Sequence, residues 1–311
     1  MIRAIPGVVL AVALAHAVTQ GSAAAGADDG QTPVASDGSV VPSSESGTAR
    51  AGLVRPRQGT GPLPGLSSLE RVSEPIKNKR SPVATAERAV IGADGRIRIN
   101  NTSSYPYSAI AEITRIDGSG TWGCTGWFIS KDTVATAGHC VHKGRGGTSG
   151  FYKPGNITVR PGRNGASTPY GSCKARRLYT VTGWSVDGSK NFDYGAIKLD
   201  CSVGKQTGTF GYFHTAKGLT DRPIKIFGYP CDKPSGQMWG MAGSVQASST
   251  YKVRYTIDTF GCQSGSAVYE TRNDGPYAMA VHTYYDGGGT NSATRITREV
   301  FNNLNDWGAA P

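Results

Sequence analysis

Acidic residues are scarce in this chain: 22 Asp and Glu stand against 33 Lys and Arg in 311 residues, a formal charge of +11. Such an excess suits an anionic partner such as nucleic acid or a cell-wall polymer. The basic residues are scattered rather than gathered into a stripe, however, so the charge reads as solvated surface with some attraction for acidic substrates, and no nucleic-acid partner is expected. A long apolar run is also lacking. Residues 4–18 come nearest, but Pro6, Gly7 and His16 interrupt them and polar sequence follows too soon for a spanning helix. With Met1-Ile2-Arg3 ahead and the small residues Ala15-His16-Ala17 and Ser22-Ala23-Ala24-Ala25 behind, residues 1–25 read as a secretory signal. The expected location is extracellular, with no membrane association after processing.

Aromatic residues are few until about residue 88. Residues 26–88 are instead rich in Gly, Ser, Pro and Ala without a sustained period, so this stretch should pack no core of its own and reads as a propeptide. Its end carries the basic cluster Lys77-Asn78-Lys79-Arg80 and then Glu87-Arg88 before the apolar Ala89-Val90-Ile91-Gly92. These are processing signals, the plainer alternative being a flexible linker. Cysteine is missing from the first 120 residues, and all six lie beyond. An even number in an exported chain implies disulfides, but six cysteines allow 15 pairings and counting cannot choose among them. Asn100, Asn101 and Asn156 head glycosylation sequons, of use only in a host that glycosylates.

From about residue 89 the composition turns to aromatics, β-branched residues and short runs punctuated by glycine. Strands are predicted at 108–114, 126–129, 133–136, 157–160, 178–182, 196–199, 224–227, 253–257, 267–269 and 278–283. Many short strands with turns every 8–12 positions argue for an all-β barrel or sandwich rather than a βαβ sheet. One helix is predicted at the C-terminus, capped by Thr297, with Glu299 in its first turn and Val300, Phe301, Leu304 and Trp307 on one face.

Three motifs carry chemistry. Gly261-Cys262-Gln263-Ser264-Gly265-Ser266 lies between β-prone runs and has the form of a nucleophile on a tight turn whose N–H groups converge, although Gly-x-Ser-Gly alone is a weak signal. Thr136-Ala137-Gly138-His139-Cys140 follows an apolar strand and sets a histidine beside a cysteine able to pin it. A serine hydroxyl is a poor nucleophile until an imidazole takes its proton, so His139 supplies what Ser264 requires. Asn191-Phe192-Asp193-Tyr194-Gly195 places an acid between aromatics at the head of a strand, where it can orient that imidazole. His142 and His214 sit in polar loop contexts and are left without a role.

In this order and spacing the motifs resemble those of the chymotrypsin-like serine endopeptidases, and most of all the secreted bacterial glutamyl endopeptidases. The similarity runs from about Val90 to Trp307 and includes Thr125-Gly126-Trp127, Gly228-Tyr229-Pro230, Val281-His282-Thr283 and Thr294-Arg295-Ile296-Thr297. It implies two antiparallel β-barrels with a C-terminal helix, an endopeptidase domain over 89–311, and a site in the cleft between the barrels. It further implies a monomer acting on proteins or peptides through an acyl-enzyme, without a cofactor or metal. His139, Asp193 and Ser264 would form the triad, and the N–H groups of Cys262 and Ser264 would be the oxyanion donors. Cys124 and Cys140 match the family's histidine-loop bridge. Assigning the others by barrel pairs Cys173 with Cys201 and Cys231 with Cys262.

Two departures stand out. Gln263 occupies the position where trypsin-like enzymes carry an Asp that pairs with the new N-terminus, and Cys262 replaces a glycine of the oxyanion hole, where a side chain restricts φ. Specificity has two readings. Asp258, six residues before Ser264, predicts cleavage after Lys or Arg by position alone. Resemblance to the glutamyl enzymes instead carries over His282 and Thr259, with the mature N-terminal amine, as partners for a substrate carboxylate, and predicts cleavage after Glu and less well after Asp. A catalytically silent binding protein on the same fold is the rival motivated by Cys262.

Overall fold

The computed structural model describes residues 28–39, 56–62 and 90–311. The signal at 1–25 and the processing signals at 77–80 and 87–88 lie outside the described residues.

Six antiparallel strands close the first barrel: β3 (Ile110–Asp117), β4 (Gly120–Phe128), β5 (Thr133–Thr136), β6 (Ile157–Pro161), β7 (Cys173–Val181) and β8 (Gly195–Leu199), with β7 pairing both β6 and β8. The second barrel closes through β10 (Pro223–Gly228), β11 (Met238–Ser248), β12 (Lys252–Tyr255), β13 (Ala267–Arg272), β14 (Gly275–Tyr285) and β15 (Asn291–Arg295), with β10 pairing both β11 and β13. Closure leaves few free edges. Those that remain are used: β2 (Ile97–Ile99) adds to β11, and β9 (Gly211–Tyr212) runs parallel to β14. This is the two-barrel fold that the resemblance implies.

Each barrel has its own apolar filling, with Ile113, Val134, Val159, Leu178 and Ile197 in the first and Ile226, Val245, Val253, Val268 and Met279 in the second. A third cluster joins them and is dominated by aromatics, including Trp127, Tyr179, Tyr194, Phe210, Tyr212, Phe227 and Trp307. The C-terminal helix, here α3 (Arg298–Ala309), closes that interface with Val300, Phe301, Leu304 and Trp307 buried. Trp307 stacks on Tyr179 at 5.7 Å between ring centroids. The Thr297 side chain accepts from the Val300 N–H, the cap read from the sequence. Two single helical turns, α1 (Thr182–Ser185) and α2 (Gly204–Thr207), serve as connectors.

Part of the segment read as a propeptide packs against the barrels, though it builds no core by itself. Strand β1 (Pro33–Ala35) adds to β7, with Val34 opposite Thr180. Beside it Gln31 is buried: its side-chain oxygen accepts from the Tyr194 hydroxyl at 2.6 Å, and its carbonyl from Asn303 Nδ2 at 2.9 Å. Farther along, Arg57 and Thr60 bridge to Tyr212 and Thr209.

Candidate active site

The cleft between the barrels is lined by His139, Cys140 and Cys124 from the first barrel and by Thr259, Cys262, Ser264, His282 and Tyr284 from the second. His139 stands on a single 3-10 turn, Gly138–Cys140, directly after β5. The bond between Cys124 and Cys140 ties that turn to β4. Asp193 arrives from the other side, in the loop between α1 and β8, and is fully buried. One of its oxygens accepts from the His139 backbone N–H and the other meets His139 Nδ1, both at 2.8 Å. Burial by itself would raise this carboxyl, but the imidazole beside it and a hydrogen bond from the Tyr284 hydroxyl outweigh burial and hold it below the ordinary aspartate range. With Nδ1 engaged by a carboxylate, the ring offers Nε2 as its base.

Ser264 comes from the turn between β12 and β13. Its carbonyl accepts from Thr125 N at 2.9 Å, and Thr125 Oγ1 donates to the carbonyl of Cys262 at 3.0 Å, so strand β4 of one barrel holds the turn of the other. Gly265 follows at φ 91°, and a Cβ there would lie 2.1 Å from Thr136 Oγ1 and 2.2 Å from Thr125 O, so only glycine allows this approach. The Ser264 hydroxyl donates to the carbonyl of Thr283 at 3.4 Å. Among the described residues, the N–H groups of Cys262 and Ser264 have no acceptor within the chain.

Cys262 adopts φ 77°, the conformation a glycine would take, and is bonded to Cys231. The side chain therefore does not rotate the turn out of the left-handed region. Instead the bridge pins it there, packed on Gly123, whose Cβ position lies 2.7 Å from Cys262 Sγ. The third bond joins Cys173 to Cys201, and no described cysteine is free.

The two specificity readings separate clearly. Asp258 is buried and does not line the cleft; its two oxygens accept from the N–H groups of Ile91 and Gly95, each at 2.7 Å. Its carboxylate is spent on that backbone and is not presented to the cleft. His282 and Thr259 do line the cleft. The Tyr255 hydroxyl meets His282 Nδ1 at 2.6 Å, and burial, with His139 nearby, pulls the imidazole down to about 3. It is uncharged at neutral pH, so one ring nitrogen carries a proton and the other a lone pair, and the Tyr255 hydroxyl engages Nδ1 in either tautomer. Val90 and Ile91 lie outside the cleft wall in this uncleaved chain. Nor is Gln263 left unpaired, since its side-chain oxygen accepts from Phe260 N at 3.0 Å and Arg96 Nη1 at 3.4 Å.

Sequence reasoning passed over Arg96, which is bonded to Asp94 and Asp232 beneath the nucleophile turn. It also passed over Tyr255, Tyr284 and Lys252. None belongs to a local motif: Arg96 pairs with its neighbour Asp94 but also with Asp232 across the fold, and the others find their partners far along the chain. His142 and His214 take no place in the cleft: the first is buried with its Nε2 2.6 Å from Gly147 O, and the second packs against Phe301.

An accessible hydroxyl, an imidazole fixed by a charged carboxylate and two N–H groups without internal acceptors, set in a cleft between two six-stranded barrels, define the chymotrypsin-like class of serine peptidase. Residues 98–307 match the family described as trypsin, and the chain belongs to that family. It is 46% identical over 238 residues to a glutamyl endopeptidase of Bacillus licheniformis, covering 74% of this chain and 72% of that protein. A Bacillus subtilis protein named as an extracellular metalloprotease is 39% identical over 310 residues, covering 96% and 94%. A solved structure of a Glu endopeptidase in complex with MPD superposes with TM-score 0.64 at 33% identity, over 71% of this chain and 100% of that one. The enzyme is thus a serine endopeptidase of the glutamyl endopeptidase type.

The word metalloprotease in one relative's name invites a search for a metal site. Among the described residues two groups bring three potential ligands together, Cys124 with His139 and Cys140, and Cys173 with Asp200 and Cys201. In each, the two sulfurs are bonded to one another and are not the thiolates a metal takes. The residues do not fit a metal, and no step below runs through one.

Proposed function

We propose that this is a secreted endopeptidase that cleaves after Glu, and less well after Asp, with Ser264 as nucleophile and His139 as general base and then acid. Asp193 orients the imidazole and stabilises its charged form. Ser264 Oγ adds to the scissile carbonyl as its proton passes to His139 Nε2. The N–H groups of Cys262 and Ser264 receive the developing oxyanion, each such donor being worth about 2.7–4 kcal/mol. His139 returns the proton to the leaving amine, and water then releases the acyl group by the same path.

One observation carries the specificity: the neutral imidazole of His282, held by Tyr255, shares the cleft with Thr259 and Ser264, while Asp258 is turned away to the backbone of Ile91 and Gly95. A substrate carboxylate there meets an N–H and a hydroxyl. Asp258, the acid that position alone offers a lysine or arginine, is not among the residues lining the cleft. Export is supported by the apolar N-terminal run, the three disulfides and a relative named as extracellular. Removal of the segment before Ala89 or Val90 completes the proposal.

Incubating the mature protein with a peptide library and mapping every cut tests activity and specificity at once. Cuts after Glu are expected. Cuts confined to Lys and Arg would return the trypsin-like reading, and an absence of cuts, together with no labelling of Ser264 by an organophosphonate, would leave a silent binding protein. Ser264→Ala and His139→Ala should each remove nearly all hydrolysis, and the double variant should be little worse than either, since nucleophile and base act as one unit.

A further inference from the structure

Lys252 is a buried cation that the mechanism above does not use. It begins β12, sits opposite Thr294 of β15, and is 6% exposed. Lys198, the other deeply buried lysine, pairs with Asp132 at 3.0 Å. Lys252 has no carboxylate within ion-pair distance among the described residues. Its ammonium donates instead to the carbonyl of Lys190 at 2.5 Å and to Thr294 Oγ1 at 3.3 Å. A buried ammonium without a counter-ion is costly and needs a reason.

Its surroundings supply one. Lys190 begins the 3-10 turn Lys190–Phe192 that leads directly into Asp193. Thr294 Oγ1 donates onward to the Asp193 carbonyl at 3.1 Å. Lys252 thus grips the acid-bearing loop of the first barrel at two points from the second. Tyr284 acts on the same group from the front: its hydroxyl donates to the Asp193 carboxylate, its ring lies 5.4 Å from the imidazole of His139, and Lys190 Nζ and Lys252 Nζ approach that ring at 4.9 and 5.8 Å.

We propose that Lys252 and Tyr284 are positioning residues for the Asp193–His139 pair: Lys252 fixes the acid loop across the barrel interface and places a positive charge behind the pair, and Tyr284 orients the carboxylate. The charged and titratable groups facing Lys252 are Asp193 in the acid loop, Asp286 in the β14–β15 turn, Lys190 in the 3-10 turn, Arg254 on its own strand and His282 on β14. Burial pulls Lys252 down from 10.5 to about 8, while Asp193 and Asp286 work the other way, so the ammonium is charged at neutral pH. A positive charge there disfavours protonation of the His139 imidazole.

The inference rests on His139 being the base, and the test separates the two. Lys252→Gln keeps a donor for the Lys190 carbonyl but loses the charge, whereas Lys252→Met loses both. The acid limb of kcat/KM should move up by roughly 0.5–1 pH unit in both, with KM on a Glu substrate little changed. Lys252→Met should in addition lower kcat on the plateau about tenfold, as expected of a displaced base. Tyr284→Phe keeps the ring over His139 and should shift the acid limb in the same direction by less; it carries the test should Lys252→Met fail to fold. If the parent enzyme is labelled by an organophosphonate at Ser264 and hydrolyses Glu substrates, while folded Lys252→Gln and Tyr284→Phe superimpose on its pH profile, the brace is wrong. If the parent itself neither labels nor hydrolyses, the triad reading fails and the brace falls with it.

Discussion

Tyr255 and His282 form a buried pair, the hydroxyl 2.6 Å from the imidazole Nδ1. With Tyr255 engaging Nδ1 and burial keeping the ring neutral, the group that His282 would offer a substrate under the proposal is Nε2–H, in the tautomer where Tyr255 donates, and no charge. Hydrogen bonds to a charged partner contribute about 1.5–3 kcal/mol. His282→Ala should therefore cost roughly ten- to a hundredfold in kcat/KM on Glu substrates, while organophosphonate labelling of Ser264 keeps its rate. Tyr255→Phe should lower the preference for Glu over Gln by freeing the tautomer.

The same pair makes the enzyme acid-sensitive. His282 takes up a proton at 6.5 when unfolded but only at about 3 in the folded chain, so the unfolded state binds more protons between those values. The stability that this neutral imidazole contributes is complete above 6.5 and is lost progressively as the pH falls toward 3. Thermal melts of the Ser264→Ala protein at successive pH values should show Tm declining through that window, and His282→Gln should flatten the decline. An unchanged slope in the variant would assign the effect to other groups.

Asp258 holds the backbone at Ile91 and Gly95 and should not govern specificity. Asp258→Ser removes the acceptor of two backbone N–H groups, from Ile91 and Gly95. It should lower Tm by several degrees, with Glu still preferred in a library cut by the variant. Loss of all cleavage after Lys and Arg, in an enzyme that otherwise makes such cuts, would contradict this.

Cys262 holds the left-handed conformation at the oxyanion turn with a bond to Cys231. Without that bond a cysteine or serine there is under no compulsion to keep a positive φ, whereas glycine adopts it freely. The pair Cys231→Ser with Cys262→Gly should retain most turnover, and Cys231→Ser with Cys262→Ser should lose it by tenfold or more. Both should be less stable, by up to the ~2–5 kcal/mol typical of a native bridge in small secreted domains. Acylation rates from a burst experiment check the first point and denaturant melts the second.

Gln31 supplies acceptors to Tyr194, the residue after Asp193, and to Asn303. Gln31→Leu in the full chain leaves one buried donor, the Tyr194 hydroxyl, short of its acceptor, at about 1–3 kcal/mol for such a group, while the backbone carbonyl at 31 still accepts from Asn303. Lower yields of secreted enzyme are expected, with normal specific activity once the upstream segment has been removed. If the fully processed variant is itself impaired, residues before 89 persist in the working enzyme.

The local sequence determined much of this protein. Strand Thr133–Thr136 and the helix capped by Thr297 are legible because apolar period and capping act between residues a few positions apart. The His139, Asp193 and Ser264 motifs are legible for the same reason, each being a short grammar of turn and strand. What lay beyond reach depends on contacts made far along the chain. Strand β15, Asn-Ser-Ala-Thr-Arg, looks like a loop yet is buried throughout, because β12 and β14 take up its backbone and Thr294 donates to Asp193. Strand β11 is interrupted by glycines that no propensity favours, and Gly240 is required because a Cβ would meet the Ile226 carbonyl at 2.1 Å. Position offered Asp258 for the specificity pocket and the family resemblance offered His282, which the sequence reading preferred. Only the tertiary structure shows the carboxylate of one spent on Ile91 and Gly95 and the other buried against Tyr255, since burial and hydrogen-bond partners are properties of the assembled fold rather than of spacing along the chain.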